Sequence, residues 1–192
     1  MQETGTRINK YMSQCGYCSR READRLIEKG EVWINGTLAT MGTKVMPGDT
    51  VMVHHTTITP CQKEYLLAFH KPAGIVCTTS KIDKNNVIDY LNFPERIYPV
   101  GRLDKESTGL LLLTNNGQLM DDVLRGSNYH EKEYIVHVNK PITDSVLQAM
   151  AQGVPILDTI TRPCKIRRMG KDCFYITLTQ GLNRQIRRMC EY

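Results

Sequence analysis

The chain has 192 residues, 41% of them apolar and 23% charged, and a formal net charge of +5. These values fit a globular protein with room for one medium and one small domain. They exclude a membrane-embedded class, since no apolar run approaches the ~20 residues of a transmembrane helix.

The N-terminus lacks the apolar core of a signal peptide. Seven cysteines, an odd number without scaffold-like spacing, favour a reducing compartment over a disulfide framework. A cytoplasmic location is therefore expected.

In chain order, Thr6 to Thr57 forms a first module. Ile8, Tyr11 and Met12 share one helical stripe, with Arg7 and Lys10 off it. Ser19-Arg20-Arg21-Glu22 is a capping box that opens a second helix, which buries Ala23, Leu26 and Ile27 and stops at Gly30. On that helix Arg21 and Arg25 are four residues apart and share an exposed face. Val32-Trp33-Ile34 and Thr37-Leu38-Ala39 flank Asn35-Gly36, a two-residue hairpin turn. Pro47-Gly48-Asp49 then turns the chain into the strand Val51-Met52-Val53.

Cys15-Gly16-Tyr17-Cys18 has the spacing of a zinc or redox pair. Zinc needs a second ligand pair, and no second CxxC or suitably spaced histidine follows. A redox pair would follow a strand, whereas a helix precedes this one. Packing at a turn between helices is the expected role. Thr56 to Lys63, with Pro60 and no apolar periodicity, is expected to be a linker.

Tyr65 to Phe69 is expected to form a buried strand and His70-Lys71-Pro72-Ala73-Gly74 a turn. Lys71 would either reach phosphate or be an ordinary surface lysine. Tyr98-Pro99-Val100 leads into Gly101-Arg102-Leu103-Asp104-Lys105-Glu106-Ser107-Thr108-Gly109 and a strand of four leucines, Leu110 to Leu113. An acid held at the mouth of a sheet, with Arg102 two residues away, is a candidate nucleophile or electrostatic group.

Beyond the turn Asn115-Asn116-Gly117, a helix carries Leu119, Val123 and Leu124 on one side. Lys132, Tyr134, Val136 and Val138 share one face of the next strand. Pro141 to Gly153 is expected to be a helix with Val146, Met150 and Ala151 at core positions. Phe174, Ile176 and Leu178 alternate inward on a last strand. Beyond it, Ile186, Met189 and Cys190 form a helical apolar stripe that turns Arg187 and Arg188 to different azimuths. The mixture gives an α+β domain on a mostly antiparallel mixed sheet. From Arg162 to the end there are eight basic residues, Arg184, Arg187 and Arg188 among them, against two acids. Such a cluster suits a polyanion, with a solvated charged face as the alternative.

The segments Arg7-Ile8-Asn9-Lys10, Cys18 to Ala23, Ile27 to Gly30, Val32 to Gly36 and Gly48-Asp49 resemble the S4 RNA-binding domain. Gly101 to Thr114, Lys132-Glu133-Tyr134 and Gln180 to Met189 resemble the three motifs of the RNA pseudouridine synthases, in the S4-containing branch that modifies ribosomal RNA. Lys71, Pro72 and Gly74 resemble a Lys-Pro-x-Gly segment of the same family. The resemblance implies an S4 module over residues 5–58 and a synthase domain over 64–192, with Arg7, Lys10, Arg20, Arg21, Arg25, Lys71, Arg102, Arg184 and Arg188 as RNA contacts.

It further implies Asp104 as the essential carboxylate, Tyr134 stacked on the target uracil, Arg187 paired with Asp104, and Arg102 filling the space the flipped base leaves. Tyr134 also fits a core position by strand logic alone. No cofactor and no metal are implied. The expected partner is a stem-loop of 23S ribosomal RNA, with transfer RNA as the alternative. In the family more strands follow the third motif, so a chain ending at Tyr192 is expected to lack C-terminal strands and to expose an edge open to strand exchange or dimerisation. The rival classes are a non-catalytic RNA-binding protein and a hydrolase, the latter disfavoured for want of a second carboxylate in the motif.

Overall fold

In the computed structural model, which describes residues 5–80, 82–125 and 129–192, strand β1 (Thr6–Arg7) leads into helix α1 (Ile8–Gln14) and helix α2 (Arg20–Glu28). The capping box is half formed. Ser19 accepts the Glu22 N–H at 3.1 Å, satisfying one orphan donor of the first turn, while the Glu22 carboxylate pairs with Arg25 at 2.7 Å. Strands β2 (Val32–Ile34), β3 (Thr37–Leu38), β4 (Lys44–Val45), β5 (Val51–Val53) and β6 (Thr56–Ile58) follow. The order β3-β2-β5-β6 makes an antiparallel sheet, and β4 pairs with β1.

Asn35 and Gly36, at φ 50° and 78°, form the left-handed two-residue turn that their composition requires. Ile8, Met12, Ala23, Val32, Val51 and Val53 are at most 1% exposed and form the core under both helices. Burial of each of the larger ones contributes about 1.5–3 kcal/mol. Asp49 accepts from Met46 N–H at 2.7 Å and from the Asn35 amide at 2.8 Å, which holds its carboxyl below the usual range.

The start of the expected linker is not a linker. Thr56–Ile58 pairs with β5, and Ile58 is buried in the core. The turn between these strands is His54-His55, with φ 45° and 65° at non-glycine residues, so no Asn-Gly signal marked it.

Strands β7 (Leu66–Lys71), β8 (Tyr98–Val100) and β9 (Gly109–Thr114) form a second antiparallel sheet, ordered β7-β9-β8, with helix α3 (Val87–Leu91) beside it. Here β7 is half-buried, not buried throughout. Leu67, Phe69, Leu111 and Leu113 face a core shared with Val87 and Ile97, while Leu66 and Leu110 lie open on the other face. Asn86, itself buried, caps α3 by accepting from Ile88 and Asp89 N–H. All of this lies in one compact unit that extends to Met120, and contacts within it cross the linker: the Ser13 and Tyr98 hydroxyls are 3.0 Å apart.

Helix α4 (Gly117–Leu124) leads into the second unit, Asp121–Tyr192. Its expected apolar side is not buried, and Val123 and Leu124 are exposed. The second unit holds β10 (Lys132–His137), α5 (Asp144–Gln152), the hairpin β11 (Pro155–Ile156) and β12 (Thr159–Ile160), β13 (Lys165–Arg168), β14 (Cys173–Leu178) and α6 (Gln185–Glu191). Its sheet is antiparallel in the order β10-β14-β13. As expected, Phe174, Ile176 and Leu178 are buried; they meet Leu147 and Met150 of α5 and Met189 of α6. Leu147 takes the inward place expected of Val146, which is exposed. On α6 the buried partner of Met189 is Gln185, and Cys190 faces solvent. The protein is thus α+β with antiparallel sheets. No helix among the described residues is long and apolar enough to cross a membrane.

Candidate active site

Asp104 sits in the loop between β8 and β9. Gly101, at φ 87°, bends the chain out of β8, and Gly109, at φ 133°, returns it to β9. Both dihedrals lie where a Cβ is disfavoured. Between them Leu103 packs on the core of the second sheet, while Arg102 is exposed and Asp104 half-buried. The Ser107 N–H closes a turn on the Asp104 carbonyl at 3.0 Å.

The anchor of this loop comes from β7. Lys71 is fully buried, and its ammonium donates to the Lys105 carbonyl at 3.1 Å and to the Pro72 carbonyl at 2.7 Å. Gly74 N–H donates to the same Lys105 carbonyl at 2.9 Å. Lys71 is therefore neither a phosphate contact nor a surface lysine. Its position two residues beyond Phe69 puts it on the buried face of β7, and a buried ammonium persists only where acceptors replace its water. It ties the residue next to Asp104 to the rigid sheet.

Lys71→Ala is expected to lower stability in urea unfolding by about 2–4 kcal/mol, through lost charge-assisted bonds and a cavity. The salt dependence of RNA binding should stay unchanged; a flatter slope would return Lys71 to the phosphate contacts.

In the second unit Tyr134 lies opposite Ile176 on the β10–β14 ladder, 40% exposed at the margin of the core. Burial of the rest of the ring pushes its hydroxyl pKa up, which keeps the phenol neutral. On the same face of β10, Lys132 extends beside Gly181, where a Cβ would sit 3.7 Å from its Nζ. The third motif forms a turn and α6. Gln185, 5% exposed, accepts the Leu182 N–H at 3.0 Å and locks the turn. Arg184 caps the helix in the left-handed region at φ 50°.

Arg188 donates to the Asn183 carbonyl at 3.0 Å and to its side-chain oxygen at 3.3 Å, which commits its guanidinium to the turn. Arg187 is exposed on the helix. Sequence reading had no signal for the roles of Gln185 and Asn183, since each depends on a turn closing back on itself.

Among the remaining candidates, Arg7, Arg20, Arg21 and Arg25 are exposed and Lys10 is half-buried. Burial pushes the Cys15 and Cys18 thiols up to about 11, so both stay protonated at neutral pH and pack at the core edge. Among the described residues no cluster of three or more His, Cys, Asp or Glu is disposed to hold a metal ion.

A small module with exposed arginines precedes a domain that presents Asp104 on a sheet-anchored loop, and the comparisons assign a family to each part. Residues 65–192 match the model of RNA pseudouridylate synthase and residues 6–51 that of the S4 domain. The chain belongs to the RNA pseudouridylate synthase family. It is 53% identical, over 99% of its length and 66% of the relative's, to the dual-specificity RNA pseudouridine synthase RluF of Salmonella typhi. It is 33% identical, over 96% of its length and 79% of the relative's, to ribosomal large subunit pseudouridine synthase B of Bacillus subtilis. A solved pseudouridylate synthase covers 97% of the chain, with 82% of its own length matched, at a TM-score of 0.62 and 25% identity. The chain spans about two thirds of the length of its RluF relatives.

Proposed function

We propose that the protein converts a uridine of 23S ribosomal RNA to pseudouridine, using Asp104 as the essential carboxylate. The observation that carries this reading is the Asp104 loop, anchored on Lys71, within a segment that matches the synthase family throughout. The reaction breaks N1–C1′, turns the uracil and joins C5 to C1′. The C5 proton leaves to solvent and N1 gains one. The balance needs neither oxidant nor group donor.

A base stacked in a helix is out of reach of Asp104, so the uridine flips out. Arg102 fills the gap it leaves, Tyr134 stacks on the uracil, and Arg187 orients the Asp104 carboxylate. Residues 5–58 act as the RNA-binding module and 64–192 as the catalytic domain, in the cytoplasm. The dual specificity of the RluF relatives supports a second RNA class, for which transfer RNA is the candidate.

Release of tritium from RNA labelled at uracil C5 tests the reaction itself. Isomerisation releases the label; a protein that only binds RNA releases none, and that result would end the catalytic reading.

The S4 module supplies affinity, with Arg184 and Arg188 as further contacts from the third motif. Arg20, Arg21 and Arg25 are exposed, and the Arg25–Glu22 pair is a solvent-facing contact worth at most about 1 kcal/mol, so it yields readily to phosphate. Changing the three arginines to Ala is expected to weaken RNA binding and to lower the slope of log K against log salt by roughly 0.7–0.9 per lost phosphate contact. An unchanged slope in a salt titration would assign them to a solvated face.

A further inference from the structure

The guanidinium of Arg162 lies over the ring of Tyr129 at 4.5 Å. Arg25, Arg125 and Arg168 each face a carboxylate; Arg162 faces an aromatic ring, as Arg96 and Arg167 also do over Tyr98 and Tyr175. Its placement is fixed from both sides. The Arg162 N–H donates to the Gln180 side-chain oxygen at 2.5 Å, and Nη1 donates to the Thr179 carbonyl at 3.3 Å. The preceding Thr161 is 2% exposed and exchanges hydrogen bonds of 2.9 Å with Val154 through its backbone N–H and its hydroxyl. Tyr129, in the left-handed region at φ 50°, remains 58% exposed. One face of the ring is backed by a cation while much of its surface is open.

The location gives the pair its meaning. Thr179 directly follows Leu178, which lies opposite Lys132 in the β10–β14 register, and Gln180 opens the third motif. Arg162 and Tyr129 therefore stand at the end of the sheet that carries Lys132 and Tyr134. We infer that the Arg162–Tyr129 pair is a binding platform for an unpaired nucleobase next to the target uridine. The base stacks on the open face of Tyr129, and the Arg162 guanidinium reaches the adjoining phosphate. This rests on the proposal that the protein acts on RNA. Unpaired bases are commonly held on aromatic rings and guanidinium planes, and a base already displaced from its helix beside the flipped uridine has the face to offer. A cation behind the ring adds charge without covering the stacking surface.

The test uses the full chain and an RNA hairpin with a single-stranded loop containing 4-thiouridine. Irradiation is expected to cross-link the loop to the peptide that carries Tyr129. Tyr129→Leu is expected to weaken hairpin binding about tenfold or more with the salt slope unchanged, since a stack and no charge is lost, and Tyr129→Phe to bind like wild type. Arg162→Gln is expected to lower the slope by about 0.7–0.9, the loss of one phosphate contact. If the wild type binds the hairpin, and Tyr129→Leu binds it within twofold of wild type without a cross-link at Tyr129, the platform is overturned and the RNA reading stands. Absence of any hairpin binding by the wild type would overturn both.

Discussion

Asp104→Asn is expected to reduce tritium release from C5-labelled RNA to below about 1% of wild type, a loss of more than about 2.7 kcal/mol of transition-state stabilisation at tenfold per 1.36 kcal/mol. The amide has nearly the same shape and can accept a hydrogen bond, but it is neither a nucleophile nor a base at neutral pH. Because the Asp104 loop is fixed through the Lys105 carbonyl and the packed Leu103, the substitution should leave its path intact. RNA affinity should change less than about twofold, since phosphate contacts set affinity and lie elsewhere. Retention of more than a few per cent of the wild-type single-turnover rate, with the fold intact by circular dichroism, would remove Asp104 from its role.

Arg187→Ala is expected to lower the rate by about a hundredfold or more, at least ~2.7 kcal/mol, on the proposal that its guanidinium orients the Asp104 carboxylate once RNA is bound. Arg187→Lys should also be poor, because a point charge cannot reproduce the planar fork that holds two carboxylate oxygens. Arg188→Ala is the informative control. Arg188 is held by Asn183, so its loss should loosen the turn before α6 and lower stability more than chemistry. Activity retained by Arg187→Ala but lost by Arg188→Ala, with both variants folded, would mean that the two arginines have been assigned the wrong way round.

Much of the local structure was legible because its causes are local. Ser19 and Glu22 are three residues apart, Asn35-Gly36 adopts left-handed angles on its own account, and Phe174, Ile176 and Leu178 alternate at the period of a strand. The chemistry-bearing motifs were legible for a similar reason: a loop that must present one acid between two bends needs glycine at each bend, and Gly101 and Gly109 both have positive φ.

The misses share a different cause. Lys71 follows Leu67 and Phe69 at period two, so the strand pattern already pointed it inward, and the bias that lysines are solvated overrode it. Thr56–Ile58 became a strand because a His-His turn brought it against β5. Val146 and Cys190 fit helical stripes as well as Leu147 and Gln185 do, and the choice fell to what each helix packs against.

The sequence by itself determined most of the elements and the family, and it singled out Asp104 as the candidate acid. Each rests on residues within about one turn or one hairpin of each other, where propensity and sterics act without help from the rest of the chain. Only the tertiary structure decided which polar groups are buried and by what they are satisfied. Lys71 reaches across 34 positions to the Lys105 carbonyl, and Arg162 across 17 to Thr179. A buried donor takes whichever acceptor folding leaves within about 3 Å, and no local rule states which one that is.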